Sequence, residues 1–494
     1  MLQLHMLHLM MGPLRVPIGR KFRLGGKQGN EVFEMSRFRF IHAADVHLGS
    51  MLHMEGAQDT ALASWCREAT YTAFHRLCRI AVDSDARFLL ISGDLYDRES
   101  RSVRASRVFA DACGMLNSRG IGVYVIAGNH DPLREYHEMF ALPPNVHIFQ
   151  AGEPEACYVR ENGETLAAIV GQSYRNKWES VPMHRRFPAP EEDCFTIAML
   201  HTQMEAGDRK YVPCTLGELA ENPFVDYFAL GHIHQPAVLK EDKPVIAWSG
   251  IPQGRDFGEE GPGGCWLVEA DGTGIAGMQY RMTSPVIYRR VSVDIGGEKL
   301  WDAETLSQLE EYLVDCALNI RNDPVSLPGS HRFPPASCQT GKEEDKAGNN
   351  PEGYVIRWIL TGRGKLHRIL GGDRQEIGQE LCETLRDRLS GIEPFVWTDS
   401  VEFRTGSPVT EEVLNRHEVL RDLLKQSFRS VKTEKEARER LVHELGQMWT
   451  ESPDPEEQDD RKLSLDEETL QAILEDAGQQ LIESLTAEEG QECT

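Results

Sequence analysis

Apolar residues in the first half of the chain concentrate in short runs, FRFIHAA, RFLLIS, VYVIA, FTIAML and YFAL. Runs of this length without alternation read as strands buried on both faces. Amphipathic stretches lie between them. One is around Ala69–Ala81, where Ala73, Leu77 and Ile80 share a side. Strands that alternate with helices imply βαβ units and a sheet covered on both faces. The pattern begins at about Arg37 and holds to about residue 285. It closes with the runs VIAWSG, GCWLVEA, MQYRM and VIYRRVSVDI, which follow one another without helices and so predict an antiparallel continuation.

A second unit is expected over 286–406. It has a helix near Ala303–Ile320, a strand at Tyr354–Leu360, a helix near Glu376–Leu389 and a strand at Pro394–Phe403. Residues of about 322–352 interrupt it with Pro, Gly and charge. So little apolar content cannot offset ordering entropy, which predicts a flexible insertion in a small α+β domain. From 407 to 494 the pattern is helical, with helices expected at Glu411–Phe428 and Lys435–Trp449. Ser464 and Glu467 form a capping box before a last helix. That helix carries Leu470, Ile473, Leu474, Ala477, Leu481 and Leu485 on one stripe. The stripe either packs on its own domain or docks on a partner.

The 494 residues are too many for one ordinary domain. Residues 1–36 lack a signal peptide's order of basic, apolar and small-residue regions. They read as a disordered extension, or as an upstream start with Met35 the more natural beginning. No apolar run approaches the roughly 20 residues that cross a bilayer. Eleven scattered cysteines without a CxxC pair suit a reduced, cytoplasmic protein and give thiol catalysis no support. The net charge of −25 argues against a chain that grips nucleic acid everywhere. Its distribution weakens that objection, because residues 451–494 alone hold 15 acidic and 2 basic side chains.

The chemistry lies just beyond the strand runs. Asp45-Val-His47, Gly93-Asp94 through Asp97, Gly128-Asn129-His130-Asp131, Leu200-His201-Thr202 and Gly231-His232-Ile-His234 each follow one of them. Ligands of open α/β sheets bind beyond the carboxyl ends of strands, so five strand ends would bring these groups to one rim. Carboxylate oxygen and imidazole nitrogen suit two manganese, iron or zinc ions better than magnesium alone. Two metals about 3.5–4 Å apart activate water, neutralise the phosphate and help the leaving oxygen. Asp94 is the natural bridge. Asp45, His47 and His234 complete one site, and Asn129, His201 and His232 the other. In D-V-H and H-I-H the alternation of an extended chain would send both side chains the same way. The glycines at 93, 128 and 231 let the backbone turn where a side chain would clash. His130 points across the site as the catalytic group, and Asp97 orients it or the substrate. His42, His53, His75 and His137 fall outside the pattern and read as ordinary polar or core histidines.

The segments HAADVHLGS, ISGDLYDRES, VIAGNHDP, LGHIHQP and WSGIPQGRDFGEEGPGGCWLVE resemble the calcineurin-like metallophosphoesterases. Within them the chain is most similar to the SbcD-type DNA repair nucleases and their bacterial YhaO branch. The resemblance is strong over residues 37–285 and looser over 286–406, as that family's capping domain. It implies a β-sandwich flanked by helices, the ligands named above and His130 as the catalytic histidine. Archaeal and eukaryotic relatives have histidine in place of Asp97, whereas bacterial members resemble this chain. It further implies a homodimer acting on DNA with an SbcC-type coiled-coil ATPase, docked through C-terminal helices.

The leading expectation is therefore a two-metal DNA exonuclease or endonuclease with Arg98, Arg101 and Arg104 in its DNA groove. A small-molecule or cyclic-nucleotide phosphodiesterase, or a phosphatase, is the alternative on the same core. A structural subunit with rigidifying metals is the third reading.

Overall fold

In the computed structural model the apolar-rich runs are strands with two differently occupied faces. Phe38, Phe40, Phe88 and Leu90 enter one core, while Ile41, Ala43, Leu89 and Ile91 enter another. Both faces find apolar cover, so a polar side chain there must bring its own partner. The structure describes residues 37–57, 62–97, 102–134, 139–204, 209–271, 274–323, 325–329, 333 and 350–407. It also describes Gln426, Trp449–Thr450 and Leu463–Ser464.

The chain begins with β1 (Phe38–Ala43), α1 (Ala63–Asp83), β2 (Phe88–Ser92), α2 (Val103–Asn117), β3 (Gly122–Ile126) and β4 (Val146–Ile148). It continues through β5 (Glu155–Glu161), β6 (Glu164–Gly171), β7 (Phe195–His201), α3 (Leu216–Ala220) and β8 (Tyr227–Gly231). Then come β9 (Ala237–Lys240), β10 (Val245–Trp248), β11 (Gly264–Asp271) and β12 (Gly274–Met282). These strands form two six-stranded sheets, ordered β12-β11-β1-β2-β3-β4 and β5-β6-β7-β8-β10-β9. The five predicted runs are thus divided between two sheets, as the β-sandwich implied by the resemblance requires, and do not share the single sheet that periodicity alone suggests. Periodicity marks a buried strand but not its neighbour.

The two inner faces close on one core, with Phe40 stacked on Phe88 at 5.2 Å and edge-on to Tyr227. Helices α1 and α2 cover the outer face of the first sheet. The second sheet's outer face is covered by Tyr174, Met183, Phe187 and Leu219, from loops and short helical turns. Helix α1 has no side-chain cap and is held by its buried stripe, including Ala73, Leu77 and Ile80. Helix α2 adds a cap, Ser102 accepting from the Ala105 amide.

A third sheet follows, built from β13 (Val286–Asp294), β14 (Gly353–Arg363) and β15 (Phe395–Gly406). All its pairings are parallel. Helices α4 (Leu306–Asn322), α5 (His367–Leu370) and α6 (Arg374–Arg388) lie between its strands in sequence, and α4 and α6 pack on one face. The run VIYRRVSVDI therefore opens a new sheet, whereas the antiparallel continuation expected there is met only by β11 and β12. A parallel pair needs a crossover, and α4 provides it. An apolar cluster lies at the seam between this sheet and the rest, joining Leu52, Met54, Cys66 and Phe257 to Tyr288 and Trp397.

The three helices expected after residue 407 lie almost wholly outside the described residues. Trp449, the expected end of the second, pairs with Leu463 in a two-residue ladder. Most of the expected insertion at 322–352 is likewise outside them. Among the described residues no helix is long and apolar enough to cross a membrane.

One polar group sits inside the inter-sheet core. His42, on β1, is fully buried and reaches the opposite sheet with both ring nitrogens. Nε2 lies 3.1 Å from the Leu230 carbonyl and Nδ1 2.8 Å from the Tyr227 hydroxyl. A carbonyl only accepts, so Nε2 carries the proton and Nδ1 accepts from Tyr227. Burial pushes the His42 pKa down to about 3, well under its unfolded value of 6.5. A group depressed in the folded state contributes stability above pH 6.5 and loses it as pH falls toward 3. Replacing His42 with Leu should cost about 2 kcal/mol or more by stranding two buried partners. Denaturant melts should also show metal-free wild type losing up to about 1.4 kcal/mol per pH unit more than His42→Gln below pH 6.5.

Candidate metal centre

The carboxyl ends of β1, β2 and β3 from one sheet and of β7 and β8 from the other converge on one rim. Two loops zip together first, the Asp45 amide donating to the Gly93 carbonyl at 2.9 Å and His47 to Asp94 at 3.0 Å. Asp45, His47, Asp94 and His232 all have left-handed backbones, with φ of 51°, 43°, 51° and 88°. Such conformations cost of order 1–3 kcal/mol in non-glycine residues and persist only where surroundings impose them. The expected extended alternation of D-V-H is therefore corrected. These side chains face inward because turns held by partner loops aim them, and not because a strand continues through them.

The glycines meet the expected clash. A Cβ on Gly93 would lie 2.1 Å from His201 Nδ1, and one on Gly231 only 1.9 Å from the Ser92 carbonyl oxygen. The same Ser92 carbonyl takes the His201 Nδ1 hydrogen bond at 3.0 Å, which turns Nε2 inward.

All seven sequence-predicted ligands come together. Donor atoms of Asp45, His47 and His234 lie within 4.8 Å of one another, as do those of Asp45, Asp94 and His201. Asn129 Oδ1 is 2.9 Å from His201 Nε2 and 3.0 Å from His232 Nδ1, and Asp94 Oδ2 is 3.3 Å from His201 Nε2. His47 is buried with neither ring nitrogen hydrogen-bonded. A buried imidazole without partners is costly, and a metal ion relieves it. The donor set of carboxylate, amide oxygen and imidazole fits first-row divalent ions.

Burial shapes the electrostatics. It raises Asp45 to about 6 and lowers His232 to about 3. For His201 burial opposes the charged form, yet Asp94 and then Asp45 outweigh it and lift the imidazole to about 9. A proton on His201 thus does part of what a cation would do among these acceptors.

His130 stands half-exposed at the rim, its ring 5.0 Å from that of His47. Its Nδ1 is 3.0 Å from Asp97 Oδ1. That hydrogen bond raises the His130 pKa and holds Asp97 down to about 2. Asp97 and His130 are therefore adjacent, as the orienting reading requires. Of the expected groove arginines, Arg98 and Arg101 lie outside the described residues. Arg104 is engaged elsewhere, donating at 2.7 Å to Glu68 and lying over the Tyr71 ring.

Sequence reasoning gives no role to several residues that shape the centre. Asp131 accepts from the Gly128 and Tyr96 amides and braces the G-N-H-D turn. Tyr211 lies 4.8 Å from the His232 ring. Arg255 and Glu259, from the GRDFGEE segment, sit behind His234. An arginine and a glutamate four apart were the available signal.

A family model described as calcineurin-like phosphoesterase matches residues 38–236, a span containing every ligand candidate. The chain is 32% identical over 284 residues to an uncharacterized metallophosphoesterase, YhaO, of Bacillus subtilis. That match covers 57% of this chain and 68% of the relative. It is 26% identical to the DNA double-strand break repair protein Mre11 of Archaeoglobus fulgidus, over 45% of this chain and 51% of that protein. It is 25% identical to the D component of the nuclease SbcCD of Bacillus subtilis, over 45% and 63%. The chain thus spans from half to two thirds of the length of these relatives.

Metal must displace the His201 proton at neutral pH, since ligands bind deprotonated. Calorimetric manganese titrations should show proton release, and affinity should rise from pH 6.5 to about 9. Affinity independent of pH would contradict this protonation of His201.

Proposed function

The chain belongs to the calcineurin-like metallophosphoesterase family, and from that membership we propose that it is a two-metal DNA exonuclease or endonuclease of the repair type. Its coarser character, a metal-dependent phosphodiesterase, follows from the family itself. The observation that carries the reading is the convergence of seven donor side chains beside an imidazole tethered by a carboxylate. Asp45, His47 and His234 would hold one ion and Asn129, His201 and His232 the other, with Asp94 shared. Manganese is the proposed metal, with iron or zinc the other candidates for this donor set.

The bound metals supply an activated water and neutralise charge on the phosphate. The protein's own groups do the rest. Asp97 takes the Nδ1 side of His130, so Nε2 is free to face the scissile phosphate. There His130 donates a proton to the leaving oxygen or stabilises the charge developing on it. Arg255 and Ser50 hold the second oxygen of Asp97, each at 3.4 Å, and keep that carboxylate oriented.

The relatives support DNA as substrate, being described as a DNA repair protein and a component of a nuclease. An SbcC-type ATPase partner and a homodimer, implied by the sequence resemblance, are part of the same proposal. We assign 286–406 to a capping domain and residues 407–494 to partner docking. Arg98 and Arg101 are the proposed strand contacts, and Arg104 would first have to leave Glu68.

Metal-replete protein should degrade end-labelled single- or double-stranded DNA. Cleavage of bis-p-nitrophenyl phosphate or cyclic nucleotides with DNA left intact would favour the small-ester enzyme instead. Replacing His130 with Asn should keep metal content and lower turnover by about 10²–10⁴-fold. Full activity would remove His130 from the reaction. Alanine at Arg98 and Arg101 should flatten the salt dependence of DNA binding by about two phosphate contacts.

A further inference from the structure

The turn between β10 and β11 lies behind the metal centre and ties two of its imidazoles together. Glu259 uses both oxygens there. Oε1 is 2.7 Å from His234 Nδ1 and accepts from Arg255 Nη2 at 2.6 Å. Oε2 accepts from the Arg255 backbone amide at 2.7 Å and from its Nε at 3.1 Å. The remaining end of the guanidinium, Nη1, reaches Asp97 Oδ2 at 3.4 Å, and Asp97 in turn holds His130. A continuous path therefore runs His234–Glu259–Arg255–Asp97–His130. Both histidines commit Nδ1 to it and keep Nε2 for the centre.

Arg255 and Glu259 are mostly buried, with side-chain exposures of 16% and 9%. Charge-assisted forks in such surroundings are strong and directional. A staple serving only the turn would need the four-residue Arg255–Glu259 pair and nothing more. Here the free end of each group is aimed at a different part of the centre.

The same turn is gripped by the third sheet. Phe257, two residues from both Arg255 and Glu259, is buried in the seam. Its ring meets Tyr288 edge-on at 5.2 Å, and the Arg357 guanidinium lies 4.1 Å from its centroid. Arg290 forms an ion pair with Glu260 at the end of the turn. The Tyr288 hydroxyl donates to the His53 carbonyl at 3.0 Å, and the His53 amide donates to the Arg255 carbonyl at 2.8 Å. Strands β13 and β14 thus hold both sides of the segment that carries the fork.

We propose that Arg255 and Glu259 are positioning residues that fix the imidazoles of His234 and His130 relative to one another, and that Phe257 makes this spacing depend on how the third sheet is seated. The proposal rests on the metallophosphoesterase reading of the centre. It adds that a shift of the third sheet, whatever causes it, alters both metal affinity and turnover through one turn.

Conservative variants of the full chain test it, with manganese affinity read by calorimetry and turnover of bis-p-nitrophenyl phosphate read at saturating manganese. Glu259→Gln keeps the shape but loses the charge, and should weaken manganese binding 10–100-fold, the usual cost of an outer-shell partner. Arg255→Lys cannot span the Glu259 fork and Asp97 together, and should lower kcat at saturating metal at least about tenfold. Phe257→Leu touches neither histidine, yet should move both quantities in the same direction by a smaller factor. Variants with lowered melting temperature but wild-type affinity and kcat per folded molecule would make the fork a mere staple and overturn the proposal. A Phe257→Leu protein identical to wild type in both readouts would overturn the dependence on the third sheet. Wild-type protein that binds manganese but cleaves neither the ester nor end-labelled DNA would count against the proposed function, while the affinity series would still decide the role of Glu259.

Discussion

The carbonyl of Ser92 is where the two sheets touch at the rim. It ends β2 of the first sheet, takes the His201 hydrogen bond from β7 of the second, and lies against Gly231 at the end of β8. That approach is closer than any side chain permits at Gly231. Because of it, donors from separate sheets reach one small volume. His201 is aimed by it, and Asn129 and His232 then face its inward Nε2. Packing between the sheets maintains the approach, and His42 bolts the same two layers from within.

The price of such convergence is electrostatic. Four left-handed backbones, buried carboxylates and an imidazole without partners would each destabilise a fold built for stability alone. They are tolerated because the loops that carry them bond to one another and because aromatic and aliphatic contacts below are dense. Sites that break local rules in this way are usually functional ones. The centre is thus a region of concentrated strain on a well-packed base, and metal binding relieves part of it.

Much of this was legible in the sequence, for reasons that differ by residue. The ligand segments stood out because packing alone has no use for Asp, Asn and His repeated at the ends of apolar runs. The strands were legible because burial on both faces leaves apolar-rich runs. Their division between two sheets was legible only through the resemblance to a β-sandwich family, since by periodicity the same runs satisfy either arrangement. The run VIYRRVSVDI misled because its partner, β14, lies some 60 residues further on, beyond α4. The turned backbone at Asp45 and His47 was hidden too, because it is imposed by Gly93 and Asp94 on another loop. Arg255 and Glu259 could be seen as a motif, but their aim depends on His234 and Asp97, which only the folded chain brings near.

The antiparallel pairing of β11 with β1 has a consequence for the order in which the molecule assembles. Strand β1 lies between β2 and β11. Its second neighbour is made only after more than 200 further residues have been synthesised. Arg39 and Glu269, paired at 3.0 Å across that junction, stand 230 positions apart. Until β11 arrives, a nascent chain exposes β1 as an open edge, a hazard for aggregation. The turn that holds His234 immediately precedes β11, so the strand that seals this edge also draws Glu259 into place. Closure of the sheet and placement of the carboxylate behind His234 are in this way linked through one stretch of chain.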